Sequence, residues 1–333
     1  MKRVIIVLVC LTLSFISCTK RDKPDEPEGL FPVRQNKQFG YIDRTGNMVI
    51  KPQFDSAEVF AEGIARMSSG GKFGYIDRTG KLVINPQFDR AYAFSEGVAR
   101  IYAGGKFGYI DRTGKTVIKP QFAIAGTFSE GLARIFDGGK YGYINRTGKI
   151  VIKSQFNNAS DFSGGLARIG VDGTYGYIDR TGMIIIKPQF NIAGIFSEGL
   201  AFFAQDDKWG YIDSNGKIDI KPRFDNAASF SEGLAGIALD DKWGYINKTG
   251  EIVITPQFDD AQKFSEGLAQ VYIGKKWGYI DRSGKTVIDP QYDESQDFSG
   301  GMASVMVDGK RGYIDRSGTY VWNDAIDQTL RSL

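Results

Sequence analysis

The chain has 333 residues, of which 42% are hydrophobic, and its formal net charge at pH 7 is +3. This charge gives no electrostatic reason to expect nucleic-acid binding. The sequence contains no histidine, and its only cysteines are Cys10 and Cys18, so the commonest metal ligands and a disulfide framework are excluded from residues 19–333. We therefore expect neither a metal site nor a cofactor.

The N-terminal residues predict export from the cytoplasm. Met1-Lys2-Arg3 is a basic start, and residues 4–16 are mostly apolar. An apolar run of this length suits the core of a secretory signal and is too short to cross a bilayer comfortably.

The residues that follow this run suggest how the chain is held after export. Phe15-Ile16-Ser17-Cys18 resembles a bacterial lipobox, where a signal peptidase cuts before a cysteine that carries lipid. The resemblance implies that residues 1–17 form a signal peptide and that Cys18 is the lipidated residue. An ordinary signal with a cleavage site nearby is the alternative. Residues 18–27 are rich in charge and proline, which predicts a flexible tether.

A repeat of 34 residues fills the rest of the chain. The tripeptide Gly-Tyr-Ile occurs nine times at this constant spacing, without insertion or deletion. Its glycines are Gly40, Gly74, Gly108, Gly142, Gly176, Gly210, Gly244, Gly278 and Gly312. Self-similarity with a fixed period of this size predicts a tandem-repeat architecture. Nine units then account for residues 28–333 as one continuous array.

Each unit is predicted to be an antiparallel meander, as the unit of residues 266–299 illustrates. Residues 268–272, 277–281 and 285–288 have the composition of three short strands. The turn before the third strand ends in Gly284, which we expect at a positive φ. Pro290 has no N–H group to donate, so the third strand is expected to end before it. A linker follows, and the sequence leaves open whether it holds a short fourth strand.

Residues at fixed places in the linkers predict contacts between neighbouring units. A phenylalanine recurs in all eight linkers, at Phe60, Phe94, Phe128, Phe162, Phe196, Phe230, Phe264 and Phe298. A small residue stands three positions earlier, at Ala57, Ala91, Ala125, Ala159, Ala193, Ala227, Ala261 and Ser295. The strands also carry apolar residues on both faces, as in Ile150-Val151-Ile152, so the sheets must stack on each other.

We therefore predict an all-β fold of tandem 34-residue repeats. Each repeat is a three- to four-stranded antiparallel meander, and the meanders stack face to face in a propeller-like arrangement. An open β-solenoid or superhelix is the alternative.

The motifs of these units resemble those of the WG repeat family, also called KWG. Lys-Trp-Gly-Tyr-Ile followed by Asp or Asn occurs around Trp209, Trp243 and Trp277. The same units contain a Pro-(Gln/Arg)-(Phe/Tyr) segment and a Phe-Ser-(Glu/Gly)-Gly segment. Phe or Tyr replaces the tryptophan in the first five units, and Arg311 replaces it in the last. The resemblance covers residues 28–333 and implies a binding or scaffold module that is common in bacterial lipoproteins, with no catalytic residues to transfer.

Three further rows of repeated residues are interpreted as structural. The Asp or Asn that opens each turn is followed by Arg or Lys in nearly every copy, which favours turn capping over calcium binding. A glutamate row at Glu62, Glu96, Glu130, Glu198, Glu232 and Glu266 offers carboxylates of the kind that glycosidases use. Active sites are seldom repeated, however, so this row is assigned to the fold. The tryptophans stand beside glycine at a strand start and are expected to pack rather than to stack on sugars.

One row differs between the two halves of the array. Arg66, Arg100, Arg134 and Arg168 occupy equivalent positions in units two to five, and Phe202, Gly236, Gln270 and Ser304 follow in the later units. Stacked repeats would place the four arginines side by side. Two interpretations stay open: pairing with nearby glutamates or turn aspartates, or a basic stripe that binds an anionic ligand such as an acidic glycan or an acidic partner surface.

Taken with the N-terminus, these features predict a non-enzymatic lipoprotein of the bacterial cell envelope that serves as a binding or scaffold module for a protein or glycan. The membrane contact is expected through the lipid on Cys18, at the outer membrane, on the periplasmic side or exposed at the surface. The alternatives are a glycan-active envelope enzyme and a purely structural spacer. The sequence does not fix the oligomeric state.

Overall fold

The computed structural model describes residues 29–323, and within them every regular element is a β-strand. The strands form nine antiparallel sheets in chain order, which we call blades 1 to 9. Blade 1 has three strands and each later blade has four.

The bounds of the strands are as follows. Blade 1 contains β1 (Phe31–Gln35), β2 (Gln38–Ile42) and β3 (Met48–Phe54). Blade 2 contains β4 (Ser56–Ala61), β5 (Ile64–Ser69), β6 (Lys72–Asp77) and β7 (Leu82–Phe88). Blade 3 contains β8 (Arg90–Ser95), β9 (Val98–Ala103), β10 (Lys106–Asp111) and β11 (Thr116–Phe122). Blade 4 contains β12 (Ile124–Ala125), β13 (Leu132–Asp137), β14 (Lys140–Asn145) and β15 (Ile150–Phe156). Blade 5 contains β16 (Asn158–Ala159), β17 (Leu166–Val171), β18 (Thr174–Asp179) and β19 (Ile184–Phe190). Blade 6 contains β20 (Ile192–Ala193), β21 (Leu200–Gln205), β22 (Lys208–Asp213) and β23 (Ile218–Phe224). Blade 7 contains β24 (Asn226–Ala227), β25 (Leu234–Leu239), β26 (Lys242–Asn247) and β27 (Ile252–Phe258). Blade 8 contains β28 (Asp260–Ser265), β29 (Leu268–Ile273), β30 (Lys276–Asp281) and β31 (Thr286–Tyr292). Blade 9 contains β32 (Glu294–Ser295), β33 (Met302–Val307), β34 (Lys310–Asp315) and β35 (Tyr320–Asn323).

The linker that the sequence left open is the first strand of the following blade. It is six residues long in blades 2, 3 and 8 and two residues long in the other blades that have it. Where it is short, an isolated bridge such as Ser129↔Leu132 continues the pairing with the second strand. The four strands of a blade therefore span the end of one sequence unit and most of the next.

The ring is closed by contacts between blade 9 and blade 1. The Tyr313 hydroxyl donates a hydrogen bond of 3.1 Å to the Pro32 carbonyl, and the ring centroids of Tyr313 and Phe31 lie 5.5 Å apart. Trp322 joins Phe31 and Val33 in one buried cluster. The fold is thus a nine-bladed β-propeller, and the open solenoid considered above is wrong. Nine blades exceed the four to eight that propellers usually have.

The hydrophobic core is divided among the interfaces between blades. Nine buried clusters each combine side chains of two successive blades, and the ninth joins blade 9 to blade 1. The tyrosine of each Gly-Tyr-Ile motif lies at the centre of such an interface. Tyr109, for example, packs edge-on against Phe128 of the next blade at 4.9 Å, and its hydroxyl donates to the Gly126 carbonyl at 2.6 Å. The predicted contact of the linker phenylalanines with the adjacent unit is confirmed.

The motif glycine is required by a close approach of the backbone. In blade 3, Phe107 pairs with Phe122 and Tyr109 with Ile118, so the fourth strand carries two more residues than the third over this stretch. The bulged backbone fills the place of a side chain on Gly108: a Cβ there would lie 2.6 Å from the Ile118 oxygen and 2.6 Å from the Pro120 nitrogen. The expectation that the strand ends before the proline is wrong, because the bulge accommodates a residue without an N–H and the strand continues to the phenylalanine.

The turns between the third and fourth strands have the predicted form. In blade 8, the Gly284 N–H donates to the Asp281 carbonyl at 2.9 Å, and the φ of Gly284 is 85°. The Asp281 side chain accepts hydrogen bonds from the backbone N–H groups of Ser283 and Lys285. The Ser283 hydroxyl also donates to this carboxylate and is the main cause of the lowered pKa of Asp281. These aspartates therefore cap turns, as predicted.

Some predictions concern residues that the structure does not describe. The signal peptide of residues 1–17, the lipidated Cys18 and the tether of residues 18–27 lie outside residues 29–323. In the described part of the chain, no helix has the length and apolar character to cross a membrane.

Candidate functional site on the inner wall

The first strands of the blades surround the axis of the ring. In each four-stranded sheet, the first and fourth strands form the two edges. Blades that fan out from an axis approach each other most closely near it, and the first strands of successive blades are in direct contact. The Ser95 hydroxyl at the end of β8, for example, donates to the Phe128 carbonyl of blade 4 at 2.9 Å. Equivalent serine–phenylalanine bonds continue from blade 4 to blade 9.

The fourth strands form the outer rim. Both faces of the strands were expected to be covered, and for the fourth strands this expectation is wrong. In β15, Ile152 is 3% exposed and packs in the core, whereas Ile150 and Val151 are 49% and 42% exposed. The inner wall, by contrast, brings side chains of consecutive blades together, and it is the surface where residues of several repeats can act on one ligand.

The glutamate row serves the contacts between blades. Glu62 of blade 2 accepts a 3.0 Å hydrogen bond from the Gly97 N–H of blade 3 and pairs with Arg112 at 2.7 Å. Glu96 repeats this arrangement with Gly131 and Arg146. The φ of Glu62 is 52°, an uncommon conformation for a residue other than glycine. The assignment of this row to the fold is confirmed at these positions.

The arginine row, Arg66, Arg100, Arg134 and Arg168, also joins successive blades. Each guanidinium donates through Nη1 to the carbonyl of the linker alanine in the next blade. For Arg134 and Ala159 this distance is 2.8 Å. The arginines therefore lie side by side along the inner wall, as the stacking of repeats predicts.

The contacts of the row with aromatic rings change after blade 5. The guanidinium of Arg66 lies 4.8 Å from the ring centre of Phe73, and that of Arg168 lies 4.7 Å from the ring centre of Tyr175. In blade 6 the position of the arginine holds Phe202, whose ring lies 5.2 Å from Trp209. In blade 6, the cation–π contact of an arginine with Phe or Tyr is thus replaced by packing of Phe202 on the larger indole of Trp209. Gly236 and Gln270 hold the same position beside Trp243 and Trp277, so the arginine row has ended by the blade where the first tryptophan appears.

The arginines do not have the acidic partners that the sequence suggested. Within residues 29–323, Arg66 pairs with Glu58, and the Arg134 Nε lies 3.1 Å from Asp161. The pairing with Glu62, Glu96 and Glu130 is wrong, because those carboxylates bind glycine N–H groups of the next blade. In the same part of the chain, Arg100 and Arg168 have no carboxylate partner.

A cavity of about 650 Å³ opens on the inner wall between blades 3 and 6. It is bordered by Arg134, Arg168, Asp161 and the hydroxyls of Ser129 and Thr127. Two guanidinium groups and one carboxylate, which lies beside Arg134, thus border one space. Sequence reasoning missed Asp161, although the equivalent position is acidic in only one other linker, at Asp297, and holds Val, Ala, Thr, Ile, Ser or Lys in the rest. In the described residues, no group of acidic or cysteine side chains is arranged to hold a metal ion.

The fold and its repeats define the class of protein: a β-propeller built from near-identical blades, an architecture that generally serves binding or scaffolding. The family model of the WG containing repeat matches eight consecutive segments, from residues 39–73 to residues 277–310. The chain therefore belongs to the WG repeat family, as its motifs suggested.

Solved structures are similar to this chain at low sequence identity. A crystal structure of a eukaryotic initiation factor is similar with a TM-score of 0.65 and 10% identity, over 89% of this chain and 96% of that chain. BamB from Moraxella catarrhalis gives a TM-score of 0.44 and 12% identity, over 88% of this chain and 94% of that chain. The likeness to the initiation factor concerns the fold alone. No curated protein matches the sequence.

Proposed function

We propose that the protein is a non-enzymatic binding module of the bacterial cell envelope and that the arginine row receives an anionic partner, either an acidic glycan or an acidic protein surface. The observation that carries the proposal is the cavity on the inner wall, where Arg134 and Arg168 converge and Arg168 has no carboxylate partner within residues 29–323. Arginine suits this role because its planar guanidinium binds carboxylate through two parallel hydrogen bonds.

Binding of polygalacturonate and of poly-L-glutamate tests this proposal. Replacement of all four arginines by glutamine should weaken binding of at least one polymer tenfold or more. Glutamine is chosen because Gln270 stands in the same row. The replacement should also reduce the dependence of the dissociation constant on NaCl concentration, because fewer cations face the polymer. Titration at 20 and 200 mM NaCl measures both effects.

The control removes the same charge from the outer rim. Lys51, Lys119, Lys153 and Lys187 are exposed on the last strands of their blades, and their replacement by glutamine should change the dissociation constant less than twofold. Equal losses in the two quadruple variants would assign binding to net charge and contradict a site at the arginine row. The arginine variant is expected to melt at a lower temperature, because four hydrogen bonds between blades are lost, each contributing roughly 1 kcal/mol.

We further propose that the module is held at the outer membrane by lipid on Cys18. The support is the basic start, the short apolar run and the Ser17-Cys18 motif. Labelling of cells with radioactive palmitate should tag the wild-type protein, whereas the variant Cys18→Ala should remain unlabelled. Incorporation of the same amount of label into both proteins would contradict the anchor.

A further inference from the structure

The repeat pattern is interrupted by polar residues where blade 8 meets blade 9. The position of the arginine row holds Gln270 here, and the linker alanine is replaced by Ser295. The two exceptions are in contact, since the Ser295 hydroxyl donates to the Gln270 Oε1 at 2.7 Å. The Gln270 Nε2 donates in turn to the Asp297 Oδ1, also at 2.7 Å, and Lys263 lies 3.4 Å from the other oxygen of this carboxylate. Gln270 is only 5% exposed, so its amide is fixed by this network.

A cavity of about 350 Å³ adjoins the network. We call it the amide pocket; it is lined by Gln262, Gln270, Trp277, Glu294, Ser295, Gln296 and Asp297. Its volume lies in the range of sites for small molecules, roughly 300–1,000 Å³. The side chains of Gln262 and Gln296 are exposed at its border, and their backbone carbonyls are already bound by tyrosine hydroxyls. Within residues 29–323, neither side-chain amide has a hydrogen-bond partner, so both amides can bind a ligand.

The indole of Trp277 borders this cavity because no cation of residues 29–323 lies over its ring. In blades 2 and 5, the guanidinium of the arginine row lies over the equivalent aromatic ring, below 5 Å from its centre. Gln270 is shorter than arginine and is held towards Asp297, so the equivalent space next to Trp277 stays open. The indole is half-buried and leans on Tyr272, with ring centroids 5.0 Å apart, which fixes its orientation.

The chemistry of the amide pocket identifies its ligand class. An aromatic face offers apolar contact area, and amides together with a carboxylate supply both hydrogen-bond donors and acceptors in a small space. Lys263 pairs with Asp297, and Glu294 adds a second carboxylate to the lining, so the pocket does not select an anion. We propose that the amide pocket binds a neutral sugar unit, with the C–H face of the ring on Trp277 and its hydroxyls on Gln262, Gln296 and Asp297. This site is separate from the arginine row and goes beyond the function proposed above.

Substitutions that test the amide pocket can be copied from other blades of the same chain. Blade 7 carries Ala228-Ser229 where blade 9 carries Gln296-Asp297, so the variant Gln296→Ala/Asp297→Ser is compatible with the fold. Blade 2 carries Phe73 in the place of Trp277, which makes Trp277→Phe equally tolerable. Trp209→Phe is the matched control, because Phe202 covers that indole.

The experiment uses maltose, lactose and N,N′-diacetylchitobiose as probes, with saturation-transfer NMR and tryptophan fluorescence as readouts. The wild-type protein should bind at least one probe with a dissociation constant that is unchanged between 20 and 500 mM NaCl. The double variant should weaken this binding tenfold or more, Trp277→Phe should weaken it severalfold, and Trp209→Phe should leave it unchanged. The glutamine variant of the arginine row should also bind as the wild type does, which separates this proposal from the anionic site.

Two results would overturn the proposal. One is the absence of binding of all three probes to the wild-type protein. The other is unchanged binding in both pocket variants when their circular dichroism and melting curves match those of the wild type. If the double variant is unfolded, the comparison of Trp277→Phe with Trp209→Phe decides alone.

Discussion

Replacement of Tyr211 by alanine is expected to lower the free energy of unfolding by about 4 kcal/mol. The Tyr211 side chain is fully buried and packs edge-on against Phe230 of the next blade, with ring centroids 4.9 Å apart. Alanine leaves a cavity that both blades line, and neither blade can close it without moving the backbone. Chemical denaturation, followed by circular dichroism and intrinsic fluorescence, measures the loss.

The variant Tyr211→Phe is the matched control. It keeps the ring and removes only the hydroxyl, which donates a 2.8 Å hydrogen bond to the Ala228 carbonyl of blade 7. The expected loss is about 1–2 kcal/mol, because a partly buried carbonyl loses its donor. Equal losses for the two variants would show that the hydrogen bond, rather than the packing of the ring between blades, dominates the contribution of this residue.

Replacement of Gly108 by alanine is expected to cost about 3 kcal/mol and to lower the Tm by roughly 5–10 °C. The added Cβ would lie 2.6 Å from the Ile118 oxygen and 2.6 Å from the Pro120 nitrogen. Both neighbours belong to the backbone of the bulge, which cannot rotate away as a flexible side chain would. Calorimetric melting of the purified variant measures the effect.

The control for this prediction is Gly236→Ala in blade 7. A Cβ on Gly236 would meet the Trp243 ring at 3.5 Å, an ordinary van der Waals contact, and the φ of this residue is not positive. We expect a change within about 1 kcal/mol, because alanine reduces the conformational freedom of the unfolded chain without strain. A Gly108→Ala protein that melts together with the Gly236→Ala protein would contradict the explanation of the motif glycine.

The local structure of each blade was predictable because its signals are local. The turn from Asp281 to Gly284 follows from residue types that favour a positive φ and side-chain capping, and both are found. The linker phenylalanines could be assigned to the interface with the next unit because an aromatic residue recurred with a small residue at a fixed offset. Neither inference needed knowledge of how the blades are arranged in space.

The features that the sequence did not predict depend on how strands meet. The bulge opposite Gly108 arises from a mismatch of register between two strands, and a proline alone could not reveal that the strand continues beyond it. The partner of Arg134 is a carbonyl 25 residues later in the next blade, which propensities and spacing do not indicate. Gln270 and Ser295 were visible in the sequence as two exceptions, one in the arginine row and one in the row of linker alanines. Only the structure shows that these two rows are in contact, 25 positions apart in the chain.

Closure of the ring has a consequence for the entropy of folding. Contacts between consecutive blades join residues up to 50 positions apart, as for Arg112 and Glu62, whereas Tyr313 and Pro32 are separated by 281 positions. For a flexible chain, the entropic cost of bringing two ends together grows only with the logarithm of the length, so the longer loop costs roughly 1.5 kcal/mol more than the shorter one. Blades that are already stacked restrict the intervening chain and reduce this difference further. Formation of the ninth interface therefore costs little more chain entropy than formation of any of the eight that precede it.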